Sequence, residues 1–166
     1  MNKYINIGSK DKTLEYLKIM KENEYVPFDL KITNAHIMEL NGLIGRRIFK
    51  KDSLYINSFT LWEIMQDVGV GQKHNHHGLT EEDVYLALSS LKDPRYFYIS
   101  KMSRYAVITT ELSHFNLPLM IIIDTKATAN GTLKSTVNKI VTIYPKDNVD
   151  NLVKNLDEKC LLYVKK

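Results

Sequence analysis

The chain has 166 residues, 44% of them hydrophobic and 25% charged, so it can bury a core without disulfide or metal staples. Its single cysteine, Cys160, excludes an internal disulfide, and no apolar run is long enough to cross a bilayer. The formal net charge of +4 suits a polyanionic partner without requiring one, and Met1-Asn2-Lys3-Tyr4-Ile5 lacks the apolar centre of a signal peptide, so the expectation is a cytoplasmic protein with no membrane contact.

Asp11-Lys12-Thr13 reads as a cap for a helix over residues 13–22, with Leu14, Leu17, Ile19 and Met20 as a partial apolar stripe. Pro27 ends that region and disfavours helix just before it. A second helix is expected near residues 33–42, stopped by Asn41-Gly42. Arg46 to Asp52 is the most basic segment, either a solvated edge with apolar anchors or a phosphate contact. Leu54-Tyr55-Ile56 is a short strand. Residues 1–52 are thus expected as a helical extension packed on a main domain of residues 53–166.

Thr60 and Glu63 have the spacing of a capping box. Leu61, Ile64, Met65 and Val68 follow on one helical face, and Gly69-Val70-Gly71 stops the helix. Thr80-Glu81-Glu82-Asp83 opens the next helix, with Thr80 as cap and three acids where the helix dipole favours them. Val84, Leu88 and Leu91 form its buried stripe, and Asp93-Pro94 ends it.

Between these helices lies Lys73-His74-Asn75-His76-His77-Gly78, which holds three of the five histidines. Three readings compete. The loop is polar and without a role; or it binds metal, though a tetrahedral site needs further Cys, His or carboxylate ligands that are not at matching positions; or it performs acid–base chemistry. Imidazole titrates near pH ~6.5, so one ring can accept a proton while another donates. A neighbouring cation, Lys73, would help to keep a base neutral.

After Pro94 the period becomes extended. Residues 95–99, 104–110, 119–123 and 137–144 read as four successive strands with short links, one containing the turn pair Asn130-Gly131, which implies an antiparallel meander. Strict alternation along the last strand puts Asn138, Thr142 and Tyr144 on one face. A short helix with Val149, Leu152, Val153 and Leu156 follows, and residues 160–164 can add a strand at an edge.

The order of a histidine loop followed by Gly78, a helix ending in Asp93-Pro94, four strands and the segment Thr142-Ile143-Tyr144 resembles the phage-associated nucleases and toxins of the barnase–EndoU–colicin–RelE superfamily, over about residues 53–146. The resemblance implies an α+β fold with helices on one face of a curved, mainly antiparallel four-stranded or slightly larger sheet. It implies a metal-independent ribonuclease with no cofactor, cleaving RNA (tRNA or another structured RNA) by attack of the ribose 2′-hydroxyl on phosphorus, and a cognate inhibitor or immunity protein as partner. By position His77 is the base or acid and His74 the second candidate. Arg104 or Lys101 stabilises phosphoryl charge, and Thr142 and Tyr144 hold phosphate or orient the histidine. Lys73, Lys101 and Asn138 are substrate contacts. The adjacent His76 leaves the catalytic assignment open. The alternative is an inactive module of the same fold that acts by binding a protein or nucleic acid.

Overall fold

The computed structural model describes residues 2–128 and 136–166. In chain order the elements are β1 (Tyr4–Asn6), α1 (Lys10–Glu22), β2 (Asp29–Thr33), α2 (Glu39–Ile44), β3 (Leu54–Asn57), α3 (Ser58–Ile64), α4 (Glu81–Ser90), β4 (Pro94–Ile99), β5 (Tyr105–Leu112), β6 (Pro118–Ala127), β7 (Val137–Pro145), α5 (Val149–Lys154) and β8 (Leu161–Val164). The strands form one sheet of eight among the described residues, in the order β1-β2-β3-β7-β6-β5-β4-β8.

The antiparallel meander is present as β4 to β7, with β8 antiparallel to β4 at one edge. The four-stranded, mainly antiparallel sheet with helices on one face is not what forms. Three further strands extend the sheet beyond β7 and make it mixed: β3 runs parallel to β7, and β1 runs parallel to β2. The class remains α+β. These added strands have only 3, 5 and 4 residues. The third contains the expected strand Leu54-Tyr55-Ile56; in the first two a two-residue period is barely visible, and what selects them is pairing with distant partners. Residues 2–52 therefore supply two strands as well as two helices. Their Leu17, Leu30, Ile32, Leu40 and Phe49 share one core cluster with Leu61, Val84, Phe97 and Ile121.

Helices cover both faces of the sheet. Leu17, Leu61, Ile64, Val84 and Leu88 of α1, α3 and α4 pack with Val107, Ile121, Ile123, Ile140 and Ile143. On the other face Val149, Leu152 and Val153 of α5 pack with Tyr98, Ala106, Ile108 and Met120. No helix among the described residues is long and apolar enough to cross a membrane.

Several local expectations shift. The second helix spans Glu39–Ile44 and ends at the left-handed Gly45 rather than at Asn41-Gly42. Asn41 instead uses its side chain on the next loop, accepting from the backbone N–H groups of Ile48 and Phe49 and donating to the Phe49 carbonyl. Helix α3 starts earlier than Thr60, capped by Asn57, whose Oδ1 accepts from the Phe59 N–H at 2.9 Å. Helix α4 starts where expected, with a full capping box between Thr80 and Asp83. The Asn130-Gly131 turn lies outside the described residues.

Candidate histidine site

Strand β3 ends at Asn57 and turns directly into α3, so it pairs with β7 only as far as Ile140. The α3–α4 loop fills the space beside the remainder of β7. Two backbone bonds fix its exit: Gly78 N–H to the Gln66 carbonyl at 2.7 Å and Leu79 N–H to the Ile64 carbonyl at 3.0 Å. Two glycines make its path sterically possible. A Cβ on Gly69 would lie 2.1 Å from the Lys73 carbonyl oxygen, and Gly78, immediately after His77, has φ +65°.

The loop thereby carries His77 to β7. Its Nε2 lies 3.4 Å from Thr142 Oγ1, and its ring sits 5.5 Å from the Tyr144 ring. His74, His76 and His77 line a shallow cleft of about 400 Å³ together with Val68, Phe115, Leu117 and Tyr144. His76 meets Trp62 edge-on at 5.6 Å, and His74 Nδ1 is 3.2 Å from the Gly71 carbonyl. Burial, and then the nearby His74 and His76, hold the His77 imidazole below its ordinary value of 6.5. The ring is therefore neutral at pH 7, which a proton acceptor requires. Among the described residues no group of three or more His, Cys, Asp or Glu side chains is arranged to hold a metal ion.

The Tyr144 hydroxyl donates to Met120 Sδ at 2.9 Å. Burial raises its pKa, and burial together with Tyr144 pushes Tyr98 up to about 12, so both phenols stay protonated near neutrality.

The sequence-derived residues divide into two groups. His74, His77, Thr142 and Tyr144 come together. Asn138 does not join them, because β7 has one residue more than β6 can pair: Ile122 faces Thr142 but Ile123 faces Ile140. Val141 is thus a β-bulge, and side chains on either side of it change face relative to strict alternation. Asn138 is buried, and its amide donates to the Lys51 and Ser53 carbonyls at 2.7 and 3.0 Å. Arg104 lies two residues along the sheet from the Ala106–Ile122–Thr142 row, roughly 12 Å from Thr142 between Cα atoms at ordinary strand spacings. Its Nε is 3.7 Å from Asp124 Oδ2. Lys101 lies in the 3-10 turn Lys101–Ser103 before Arg104, and exposed Lys73 lies in the 3-10 turn Gly71–Lys73 that enters the histidine loop.

The other cleft residues carry little signal in the sequence. Val68, expected on one helical face with Leu61, Ile64 and Met65, lies beyond the end of α3, is 68% exposed and lines the cleft instead. Phe115 arrives from the β5–β6 connection. That connection is tied to α4 by Asp83, whose carboxylate accepts from the His114 N–H at 2.9 Å and contacts the His114 ring. Asp83 is visible in the sequence only as a first-turn acid, and its second role depends on a partner 31 residues away.

A family model described as the phage MuF-C-terminal domain matches residues 70–166, more than half of the chain, and includes the histidine loop. Neither the curated proteins nor the solved structures contain a match.

Proposed function

The chain belongs to the phage MuF-C-terminal domain family, and on that premise we propose that it is a ribonuclease effector which cleaves RNA without a metal ion. The observation that carries this reading is His77: a half-buried, neutral imidazole in an open cleft, beside a hydroxyl, with two further imidazoles on the same loop. The kinship with barnase–EndoU–colicin–RelE nucleases is part of this proposal, since the family match carries only the phage association.

In the proposed reaction His77 takes the proton of a ribose 2′-hydroxyl on Nδ1, since Nε2 is turned to Thr142 Oγ1. The 2′-oxygen attacks the adjacent phosphorus, the P–O5′ bond breaks, and the departing 5′-oxygen takes a proton from His74. The products are a 2′,3′-cyclic phosphate and a free 5′-hydroxyl. Thr142 Oγ1 orients the His77 ring, and the Tyr144 ring packs against it. Arg104, Lys101 and Lys73 serve as cationic contacts to the RNA backbone. The Asn138 amide is committed to backbone carbonyls, so no substrate contact is assigned to it.

Cleavage of a mixed RNA pool in the presence of chelator, lost in His77→Ala, is the expected result. Intact RNA at high protein concentration would sink the catalytic reading, and cleavage abolished by chelator would replace it with metal-assisted chemistry. Host toxicity relieved by a cognate inhibitor is expected alongside activity.

A second reading, a binding module that retains the architecture without catalysis, is favoured by two features. The Tyr144 hydroxyl faces a thioether, and the Arg104 guanidinium is engaged by Asp124. It predicts RNA or protein binding that His77→Ala leaves without any change in RNA integrity.

A further inference from the structure

The basic segment of the N-terminal half is held more firmly than a solvated edge needs to be. Phe49 is fully buried, its ring stacked on Phe97 at 6.0 Å and tilted against Tyr105 at 5.9 Å. Asn41 binds the backbone on both sides of it, at Ile48 and Phe49. The Asn138 amide grips the Lys51 carbonyl from β7. Lys50 and Lys51 therefore project from a backbone fixed by side chains of two other elements.

Across from them stands the end of β6. Together Ile48, Lys50, Lys51, Tyr105, Thr125, Lys126, Thr136, Val137 and Asn138 enclose a cleft of about 280 Å³. Its described lining holds three lysines, two threonines and no carboxylate. The acid of β6, Asp124, has Oδ2 3.7 Å from Arg104 Nε and accepts from the Lys126 N–H on Oδ1 at 2.7 Å. Lysines that meet around a concave surface repel one another unless an anion joins them, and low-dielectric walls strengthen the field between them. All three lysines are exposed, and Lys51 donates to the Thr136 carbonyl at 3.2 Å across the cleft.

This cleft sits at the start of β7 on the face of Tyr105 and Asn138, and the histidine cleft at its end, where Thr142 and Tyr144 point the other way; they lie about seven residues or roughly 20 Å apart along the strand, so a chain that joins them passes round the end of the sheet. We propose that the Lys50–Lys51–Lys126 cleft binds a backbone phosphate of a single RNA strand whose reacting nucleotide lies at His77. The choice of RNA rests on the ribonuclease reading. The phosphate chemistry rests on the cleft itself: ammonium donors and hydroxyls in a fixed frame suit a phosphodiester, and they read no base. The site thus sets how RNA is held, not which sequence is chosen.

The test uses the full chain and a 2′-O-methylated RNA of roughly a dozen nucleotides, a length typical of single-strand grooves. Such a strand cannot be cleaved by 2′-hydroxyl attack, so binding is read independently of activity. Fluorescence anisotropy over a salt series compares the parent with Lys50→Ala/Lys126→Ala. The control, Lys18→Ala/Lys159→Ala, changes net charge equally at exposed lysines elsewhere. The cleft variant is expected to bind roughly tenfold more weakly, with the slope of log K against log salt shallower by about 0.7 for each phosphate no longer neutralised. The control should stay within about twofold of the parent.

Equal losses in both variants would mean diffuse charge and would overturn the proposal, as would no loss in either. Titration with inorganic phosphate separates the sources of the ligand. If millimolar phosphate protects the cleft in the parent while RNA binding is untouched by the substitutions, the site takes free phosphate and the RNA assignment is overturned. The two readings fail separately. RNA left intact by the parent ends the ribonuclease proposal while a selective binding loss upholds this one; cleavage with unchanged binding does the reverse. Thermal unfolding of each variant at the parent midpoint ensures that folded chains are compared.

Discussion

His77 has a residue-scale consequence for pH. Its pKa in the folded protein lies below the ordinary 6.5, chiefly because burial disfavours the imidazolium. Between those two values the unfolded chain binds more protons than the native one. The neutral ring's contribution to stability is therefore complete above about pH 6.5 and is lost as pH falls through the native value. His77→Gln should remove this acid-side loss, measured as a flatter dependence of denaturant midpoint on pH below 6.5. If the proposed chemistry holds, the acid limb of the cleavage rate should likewise lie below the pH expected of a solvent-exposed histidine. Asp83 behaves in the same sense at lower pH. Burial opposes its charge, but hydrogen bonds from Thr80 N–H and from the backbone and ring of His114 outweigh burial and hold its pKa below 3.8. Asp83→Ala removes both the reciprocal cap of α4 and the tie to the β5–β6 connection. A loss of about 1–3 kcal/mol is expected in urea unfolding, because the buried donors it leaves behind have no replacement.

At the scale of elements the site depends on two departures from regularity. The α3–α4 loop closes on itself at Gly69, where a methyl group would overlap the Lys73 carbonyl. Gly69→Ala should cost about 1–3 kcal/mol through forced movement of that loop. It should also alter the environment of the His76 and His77 ring protons in NMR spectra while leaving resonances of the β4–β8 edge in place. Unchanged histidine signals would mean that the loop does not position the cleft. The second departure is the bulge at Val141, which sends Ile140 and Ile143 into the same core and turns Thr142 and Tyr144 to the opposite face. A strand with strict alternation cannot achieve both. This explains why Asn138 is separated from the other polar residues of β7, although the spacing places all three together. Thr80, by contrast, acts locally. Thr80→Ala should cost about 1 kcal/mol, the ordinary worth of a helix cap, in thermal or chemical unfolding.

At the scale of the molecule, the N-terminal 52 residues are structural partners of the rest. Strand β2 pairs with β3, and β3 pairs with β7, the strand that holds Thr142 and Tyr144. A fragment of residues 53–166 would leave β3 as an unpaired edge strand and uncover the core beneath Leu17, Met20 and Phe49. It is expected to aggregate or to lose cooperative unfolding, as judged by size-exclusion chromatography and circular dichroism. Within the intact chain, Leu17→Ala should lower stability by about 2–5 kcal/mol, because Leu17 is fully buried between the helical layer and the sheet. The matched family region begins at residue 70. The frame that supports the histidine cleft therefore includes chain outside that region, namely α3 and the β1–β3 extension.

What short-range physics controls was legible in the order of residues. The Thr80 cap, the buried stripe of α4, the alternation that makes β4 to β7 a meander, and the segment in which three imidazoles gather are all of this kind. Each is set by residues within a few positions of one another, where period, capping and turn chemistry act. Only the closed chain settles that strands of 3 and 5 residues form in the N-terminal part and that β3 joins them to β7, that Val141 bulges, that Val68 faces the cleft and that Lys126 lines one cleft with Lys50 and Lys51. Each of these is a choice of partner across tens of residues. No local period encodes such a choice; it follows from which pairing leaves the fewest apolar side chains and backbone groups unsatisfied once the whole chain has folded.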